Sequence, residues 1–303
     1  MDKNFLDTLS KDGDAYSIRS AEDLCNLSEY VNAGNDCDEK IFKLANDIDL
    51  SSVENFTPIG NYDNPFVGTF DGDGKIISNL KIVGENYVGL FGCNAGKIKN
   101  LNLSKVEIKA CNFIGGLVGF NYGGTIENCT ASGTVCGSKL VGGLVGFNYG
   151  GTIENCTASG NVCGSKLVGG LVGNNDNGTI ENCTASGTVC GVEDVGGLVG
   201  SNGGGTIENC TASGNVCGVE DVGGLVGYYG GYYGGKIQNC SASGSVSGKD
   251  SVGGFVGSNG GKIQNCSASG SVSGNMNVGG LVGSNDSDIE NFSGAVSNHD
   301  EII

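Results

Sequence analysis

The block Gly-Gly-Leu-Val-Gly-Phe-Asn-Tyr-Gly-Gly-Thr-Ile-Glu-Asn-Cys-Thr-Ala-Ser-Gly starts at Gly115 and returns from Gly142. Looser copies start at Gly169, Gly196, Gly223, Gly253 and Gly279, at spacings of 27, 27, 27, 27, 30 and 26 residues. Val88-Gly89-Leu90-Phe91-Gly92 is an earlier, partial copy. A period this short and this regular calls for a solenoid, each repeat forming one coil stacked on the next. Function then has to come from files of stacked side chains.

Within a repeat, Gly and Asn punctuate short β-branched stretches, which is strand-and-turn chemistry without helical periodicity. Thr125-Ile126-Glu127 reads as a strand with Ile126 inward, and Asn128 as a corner in the left-handed region. Cys129, Ala131, Gly133 and Val135 alternate inward, with Thr130, Ser132 and Thr134 outward. Gly137-Ser138-Lys139 turns the chain, Leu140 to Gly146 makes the third side, and Asn148 to Gly151 closes the coil. Three strands and three bends per coil describe an all-β parallel β-helix. Whether Leu144 or Val145 points inward is left open by this pattern. The file Asn128, Asn155, Asn182, Asn209, Asn239, Asn265, Asn291 is expected to form an amide ladder.

At the N-terminal end, Ser20 with Asp23, then Leu24, Leu27 and Val31 at helical spacing and Gly34, reads as a short capping helix. Such a helix hides the unpaired edge of the first coil. The chain is expected to divide into a cap and lead-in over 1–87 and one continuous solenoid over 88–303. At the other end Phe292 stands where earlier rungs carry Cys.

Fourteen cysteines suggest a disulfide or metal framework, but most fall on two files. Cys129, Cys156, Cys183, Cys210, Cys240 and Cys266 share the inward position, where free thiols serve as small apolar filler. Cys136, Cys163, Cys190 and Cys217 form a second file that becomes Ser247 and Ser273. Parallel in-register side chains suit disulfide geometry poorly, so free thiols and a reducing environment are expected. Without a Cys-x-x-Cys pair or neighbouring His, no metal site is expected.

The lone histidine, His299, leaves no room for a His-based metalloprotease or a Ser-His triad. Asp71-Gly72-Asp73-Gly74 lacks the rest of a calcium loop and reads as a turn. Glu193-Asp194 and Glu220-Asp221 read as solvated turn edges and not as a catalytic pair facing across a cleft. No catalytic residue and no cofactor are expected. A net charge of −17 opposes nucleic-acid binding, and no run has the ~18 apolar residues of a membrane helix, so neither nucleic acid nor membrane insertion is expected. No signal peptide is evident near Met1.

Two surface features remain. Phe120, Tyr122, Phe147, Tyr149, Tyr228, Tyr229, Tyr232 and Tyr233 all follow the Leu-Val-Gly strand, and the tyrosines Tyr122, Tyr149, Tyr228, Tyr229, Tyr232 and Tyr233 are candidate anchors for a glycan or protein. Thr130/Ser132, Thr157/Ser159, Thr184/Ser186 and Thr211/Ser213 form a hydroxyl face, the alternative site if the protein binds ice.

With these motifs in hand, the chain resembles bacterial GLUG-repeat proteins over Tyr16 to about Val296. The likeness includes Tyr16-Ser17-Ile18, Ala21-Glu22-Asp23-Leu24, Leu44 to Leu50, Pro58-Ile59-Gly60, Gly68 to Gly72 and the Val-Gly-Gly-Leu-Val-Gly repeats. It implies a right-handed β-helix in secreted or cell-surface proteins, including adhesins and non-catalytic regions of immunoglobulin-A-cleaving metallopeptidases. It carries over no catalytic residues. The expected function is a non-enzymatic adhesion or display module that binds a host or cell-surface glycan or protein. The alternatives are an ice-binding β-helix and a polysaccharide-active enzyme using Glu193 or Asp194.

Overall fold

The computed structural model describes residues 5–231, 234–293 and 296–298. Strands from successive repeats pair in parallel and in register, Thr125 on Thr152 on Thr179 on Thr206, so that a parallel β-solenoid of about ten turns results. The exceptions among the described residues are an antiparallel strand pair, Lys11–Asp12 with Ala15–Ile18, at the N-terminal end, and a single antiparallel bridge between Asp176 and Gly204.

Each coil has four sides, not three. One coil runs through Thr125–Glu127, Thr130–Cys136, Lys139–Gly142 and Val145–Tyr149, and each segment belongs to a different sheet. The segment expected as a single third side bends at Gly143. A Cβ there would lie 2.2 Å from the Gly170 carbonyl of the next rung, so only glycine allows this approach. The bend also resolves the open question at Leu144 and Val145. Leu144, in the bend, and Val145, which opens the next strand, both have 0% exposure, so the leucines form no surface stripe.

The Asn128 file occupies the corner as expected, with φ between 51° and 54° at all seven positions. It is only partly an amide ladder. Asn128 donates to Asn100 (3.2 Å) and Asn291 to Asn265 (3.2 Å), whereas Asn155 and Asn182 donate to the preceding glutamates. The continuous ladder lies on another file. Asn94, Asn121, Asn148, Asn175 and Asn202 are all 0% exposed, and the Nδ2 of each of the first four donates to the next Oδ1 at 2.7–2.8 Å. The same Nδ2 atoms also donate to Gly96, Gly124, Gly151, Gly178 and Gly205 carbonyls, which closes the turn.

Tyr229 takes the next place on this file, paired with Asn202 below and Asn259 above. It is 0% exposed, and its hydroxyl donates to the Gly235 carbonyl at 2.5 Å. A tyrosine reaches further than an asparagine, so the carbonyl it meets lies six residues on instead of three. This accounts for the 30-residue coil.

The inward cysteines do more than fill space. Each backbone N–H from Cys129 to Cys240 donates to the sulfur of the next rung at 3.4–3.5 Å. Each thiol in turn donates to the carbonyl two residues back, Cys129 to Glu127 and Cys156 to Glu154 at 3.1 Å. These groups sit beside the left-handed corner, where the strand ladder is interrupted. Hydrogen bonding between neighbouring cysteines of the file, and then burial, holds the Cys156 and Cys183 thiols well above the ordinary range, so they stay protonated.

The second cysteine file departs from expectation. Cys136–Cys163 and Cys190–Cys217 are disulfides, with Cα separations of 4.6 and 4.7 Å. One rung of stacking falls inside the range that a disulfide spans. These cysteines are half-buried at strand ends, so the sulfurs are not locked by core packing and can meet. Cross-rung disulfides suit an oxidising environment, opposite to the reducing one expected.

The capping helix, Ala21–Asn32, forms as read. Ser20 Oγ accepts from Asp23 N–H, and Asp23 reaches back to Arg19 N–H. Leu24, Leu27 and Val31 join the hydrophobic core. At the far end Phe292 packs edge-on against Phe255 at 5.4 Å and is partly buried.

Two outcomes follow. Replacing Asn148 with Ala strands the Asn121 amide donor and the Asn175 carbonyl oxygen, and should lower unfolding free energy in urea by about 2 kcal/mol or more. The exposed Asn155→Ala change should cost less. Each disulfide closes a 27-residue loop, a constraint worth about 3.5 kcal/mol in the chain-entropy account. Dithiothreitol should therefore lower the thermal midpoint of the wild type and leave a Cys136→Ser/Cys163→Ser/Cys190→Ser/Cys217→Ser variant unmoved.

Candidate functional site

Strand alternation makes the buried asparagines present aromatics. In Val118–Tyr122, Asn121 points inward, so Phe120 and Tyr122 on either side point outward. Val145–Tyr149 repeats this with Asn148, Phe147 and Tyr149. Tyr122 and Tyr149 are 57% and 42% exposed and stack at 5.8 Å, with their planes 3° apart. Phe120 and Phe147 stack at 5.3 Å.

The strip extends past the repeats into the lead-in. Tyr87 and Phe113 hold left-handed corners (φ 56° and 55°) and stack at 4.7 Å. Tyr62 stacks on Tyr87 at 5.4 Å and on Phe120 at 6.4 Å. With Pro65 and Cys93 these rings line an open cleft of about 500 Å³. Tyr62, 64% exposed, Tyr87 and Phe113 had not been singled out from sequence. The signal was there in the corner file Tyr87, Phe113, Leu140, Leu167, Asp194, Asp221, Ser251 and Asn277, which the register aligns and which has positive φ throughout.

That corner file and the file Cys93, Phe120, Phe147, Asn174, Ser201, Tyr228, Ser258, Ser284 form the two banks of one groove along the solenoid. Contacts cross it at both ends. Phe113 meets Phe147 at 6.1 Å, and Ser258 Oγ donates to Asp221 Oδ1 at 2.5 Å. Its chemistry changes along the axis, aromatic first, then aliphatic at Leu140 and Leu167, then acidic at Asp194 and Asp221.

The acidic stretch is not the solvated edge that the sequence suggested. Glu193 and Glu220 point to solvent, and Glu193 bonds Lys166 of the rung below. Asp194 is only 8% exposed. Burial first, then the neighbouring Asp221 charge, pushes its carboxyl up to about 7, and burial also raises Asp221. A corner Asp points into the groove because the left-handed turn inverts the strand alternation.

Of the remaining candidates, Tyr228 is 37% exposed. Tyr229 is a core residue and has no exposed face for a ligand, a correction caused by its place on the asparagine file. Tyr232, Tyr233 and His299 lie outside the described residues. Thr130, Thr157, Thr184 and Thr211 are half-exposed, as is Ser132, while Ser159, Ser186 and Ser213 are exposed. Their strands shrink to two residues after the first such rung, as in Thr157–Ala158 and Thr184–Ala185, so the hydroxyl face is bent and not flat. Thr130 Oγ1 is also engaged with Asn102 at 2.9 Å. The Asp71–Gly74 turn is closed by Asp71 accepting from Asp73 N–H. Among the described residues no three His, Cys, Asp or Glu side chains are placed to hold a metal, and no helix is long and apolar enough to cross a membrane.

The family profile for the GLUG motif matches residues 112–135, 137–162, 164–189, 191–216, 218–247 and 250–273. Halomucin of Haloquadratum walsbyi is 38% identical over 138 residues, 41% of this chain and 2% of halomucin. A proposed Gly-rich membrane protein of Evansella cellulosilytica is 37% identical over 125 residues, 37% of this chain and 14% of that protein. The chain thus spans a small part of the curated relatives it matches. In three dimensions it is similar to a proposed immunoglobulin A1 protease from Bacteroides ovatus, with a TM-score of 0.58, 25% identity, and coverage of 95% of this chain and 85% of the other.

The raised Asp194 pKa has a signed consequence. Because the folded state holds this proton more tightly than the unfolded state (3.8), stability falls as pH rises through about 7 and is recovered on acidification. Asp194→Asn should raise the thermal midpoint at pH 8 and flatten its decline between pH 5.5 and 8. An unchanged slope would mean that the general acidity of the chain, and not this carboxyl, sets the dependence.

Proposed function

Since the chain belongs to the GLUG-repeat family, whose matched stretches make up about half its length, we propose that it is a cell-surface adhesion module that binds glycan through the aromatic strip. The carrying observation is the run of mutually stacked rings from Tyr62 to Tyr149. They are left open on a protein of net charge −17. Exposed aromatic faces of this extent mark interaction sites. Their flat apolar faces suit the C–H faces of sugar rings, with the tyrosine hydroxyls available for hydrogen bonds. A surface location is supported by the relatives, one a halomucin and one named for a membrane.

The reading is non-enzymatic. Asp194 and Asp221 stack on the same bank of the groove, whereas glycoside cleavage places its two carboxyls on either side of the bond. Protein partners and ice are less favoured, the second because the hydroxyl strands bend.

The test is a glycan array followed by calorimetry with a Tyr62→Ser/Tyr122→Ser/Tyr149→Ser variant. These side chains are exposed, so the fold should persist, while affinity for the glycan hit should fall at least tenfold. A hit whose affinity does not change in the variant would place the binding elsewhere.

A further inference from the structure

We propose that the acidic stretch of the groove, Asp194 with Asp221, binds a primary ammonium group, so that the glycan held by the aromatic strip is an amino sugar polymer. This rests on the glycan reading above and adds the charge that the ligand carries.

Asp194 and Asp221 are stacked one rung apart, fixed by the pairing of Glu193 with Glu220 and Val195 with Val222. Asp221 accepts from the Ser258 hydroxyl across the groove. Asp194, at 8% exposure, makes no side-chain hydrogen bond among the described residues, and none of their sealed side-chain oxygens is left without a partner. The carboxylate oxygens of Asp194 therefore keep some contact with solvent. A nine-tenths-buried carboxylate without a hydrogen-bond donor is a cost that a bound cation removes.

The surroundings choose the cation. Glu193, Glu220, Asp221 and Asp250 make the site electronegative, and Lys166 is committed to Glu193. No three acidic side chains converge as a metal site requires, while an ammonium needs only two or three acceptors. Phe147 is on the coil of Leu140, two rungs or about 10 Å from Asp194 along the axis. One oligosaccharide can reach from the rings to the carboxylates.

Neutralising Asp194 with an ammonium also favours its ionised form, so binding near neutral pH releases a proton from this pair. The groups that set this titration are Asp221, Glu193, Glu220 and Lys166, with Asp250, Ser251 and Ser258 acting through Asp221.

The experiment is calorimetry at physiological salt, pH 7, in two buffers of different ionisation enthalpy. The ligands are a glucosamine tetramer and its fully N-acetylated counterpart, each titrated into wild type and Asp194→Asn. Expected is at least tenfold tighter binding of the free amine, with proton release, and loss of both in Asp194→Asn while binding of the N-acetylated tetramer is unchanged. Equal affinity for the two tetramers, with Asp194→Asn indistinguishable from wild type, would overturn the ammonium site and leave the aromatic reading intact. Glucosamine itself, too small to need the rings, should still shift the Asp194 carboxyl resonance. If it does so while the glucosamine tetramer binds no more tightly than glucosamine and the N-acetylated tetramer does not bind, the aromatic reading falls alone. If it does not, or if calcium ions displace it at equimolar level, the ammonium site is wrong.

Discussion

The hydrogen bond from Asn121 Nδ2 to Asn148 Oδ1, at 2.8 Å and out of reach of water, is the interaction on which the rest of the architecture depends. Its neighbours at Asn94, Asn175 and Asn202 repeat it. A buried amide without its partners is expensive, so each rung must sit directly over the last, and a slip of one residue would expose the whole file. The second Nδ2 hydrogen bond, to a glycine carbonyl three residues on, fixes the turn as well as the stack. Tyr229 shows the rule by varying it. Its longer reach draws in a longer turn, and the amide file resumes at Asn259 and Asn285.

The same file governs the surface. Because strand neighbours alternate, an inward Asn121 forces Phe120 and Tyr122 outward, and the rung repeat then lays ring over ring. The two files that flank the groove are set by coil geometry and recur at every rung. What differs between rungs is the residue at the left-handed corner, Phe113, then Leu140 and Leu167, then Asp194 and Asp221. A solenoid with near-identical coils thereby acquires a surface whose chemistry changes along its axis without disturbing its core.

Much of this was legible in the sequence because repetition reports register directly. The parallel stack, the corner role of Asn128, the inward Cys129 file and the Ser20-capped helix all followed from spacing and residue chemistry. The four-sided coil did not, because the bend at Gly143 depends on a backbone contact with the next rung. The ladder was assigned to the exposed Asn128 file, since both files are asparagine at the same period and only burial separates them. Tyr229 was grouped with surface tyrosines for lack of that assignment. The disulfides are not legible in the sequence, because in-register stacking of ideal strands disfavours them, whereas Cys136 and Cys163 end theirs. Tyr62, Tyr87 and Phe113 lie before or at the start of the regular repeats, where alignment by motif gives least help.

Hydrogen exchange of the asparagine side-chain amides, followed by NMR, tests the buried ladder most directly. The Nδ2 protons of Asn121, Asn148 and Asn175 should be protected like core backbone amides, exchanging only when coils separate, while those of Asn155 and Asn182 exchange freely. Equal, fast exchange at both files would contradict the account, since the ladder would then be neither sealed nor the element that holds the coils in register.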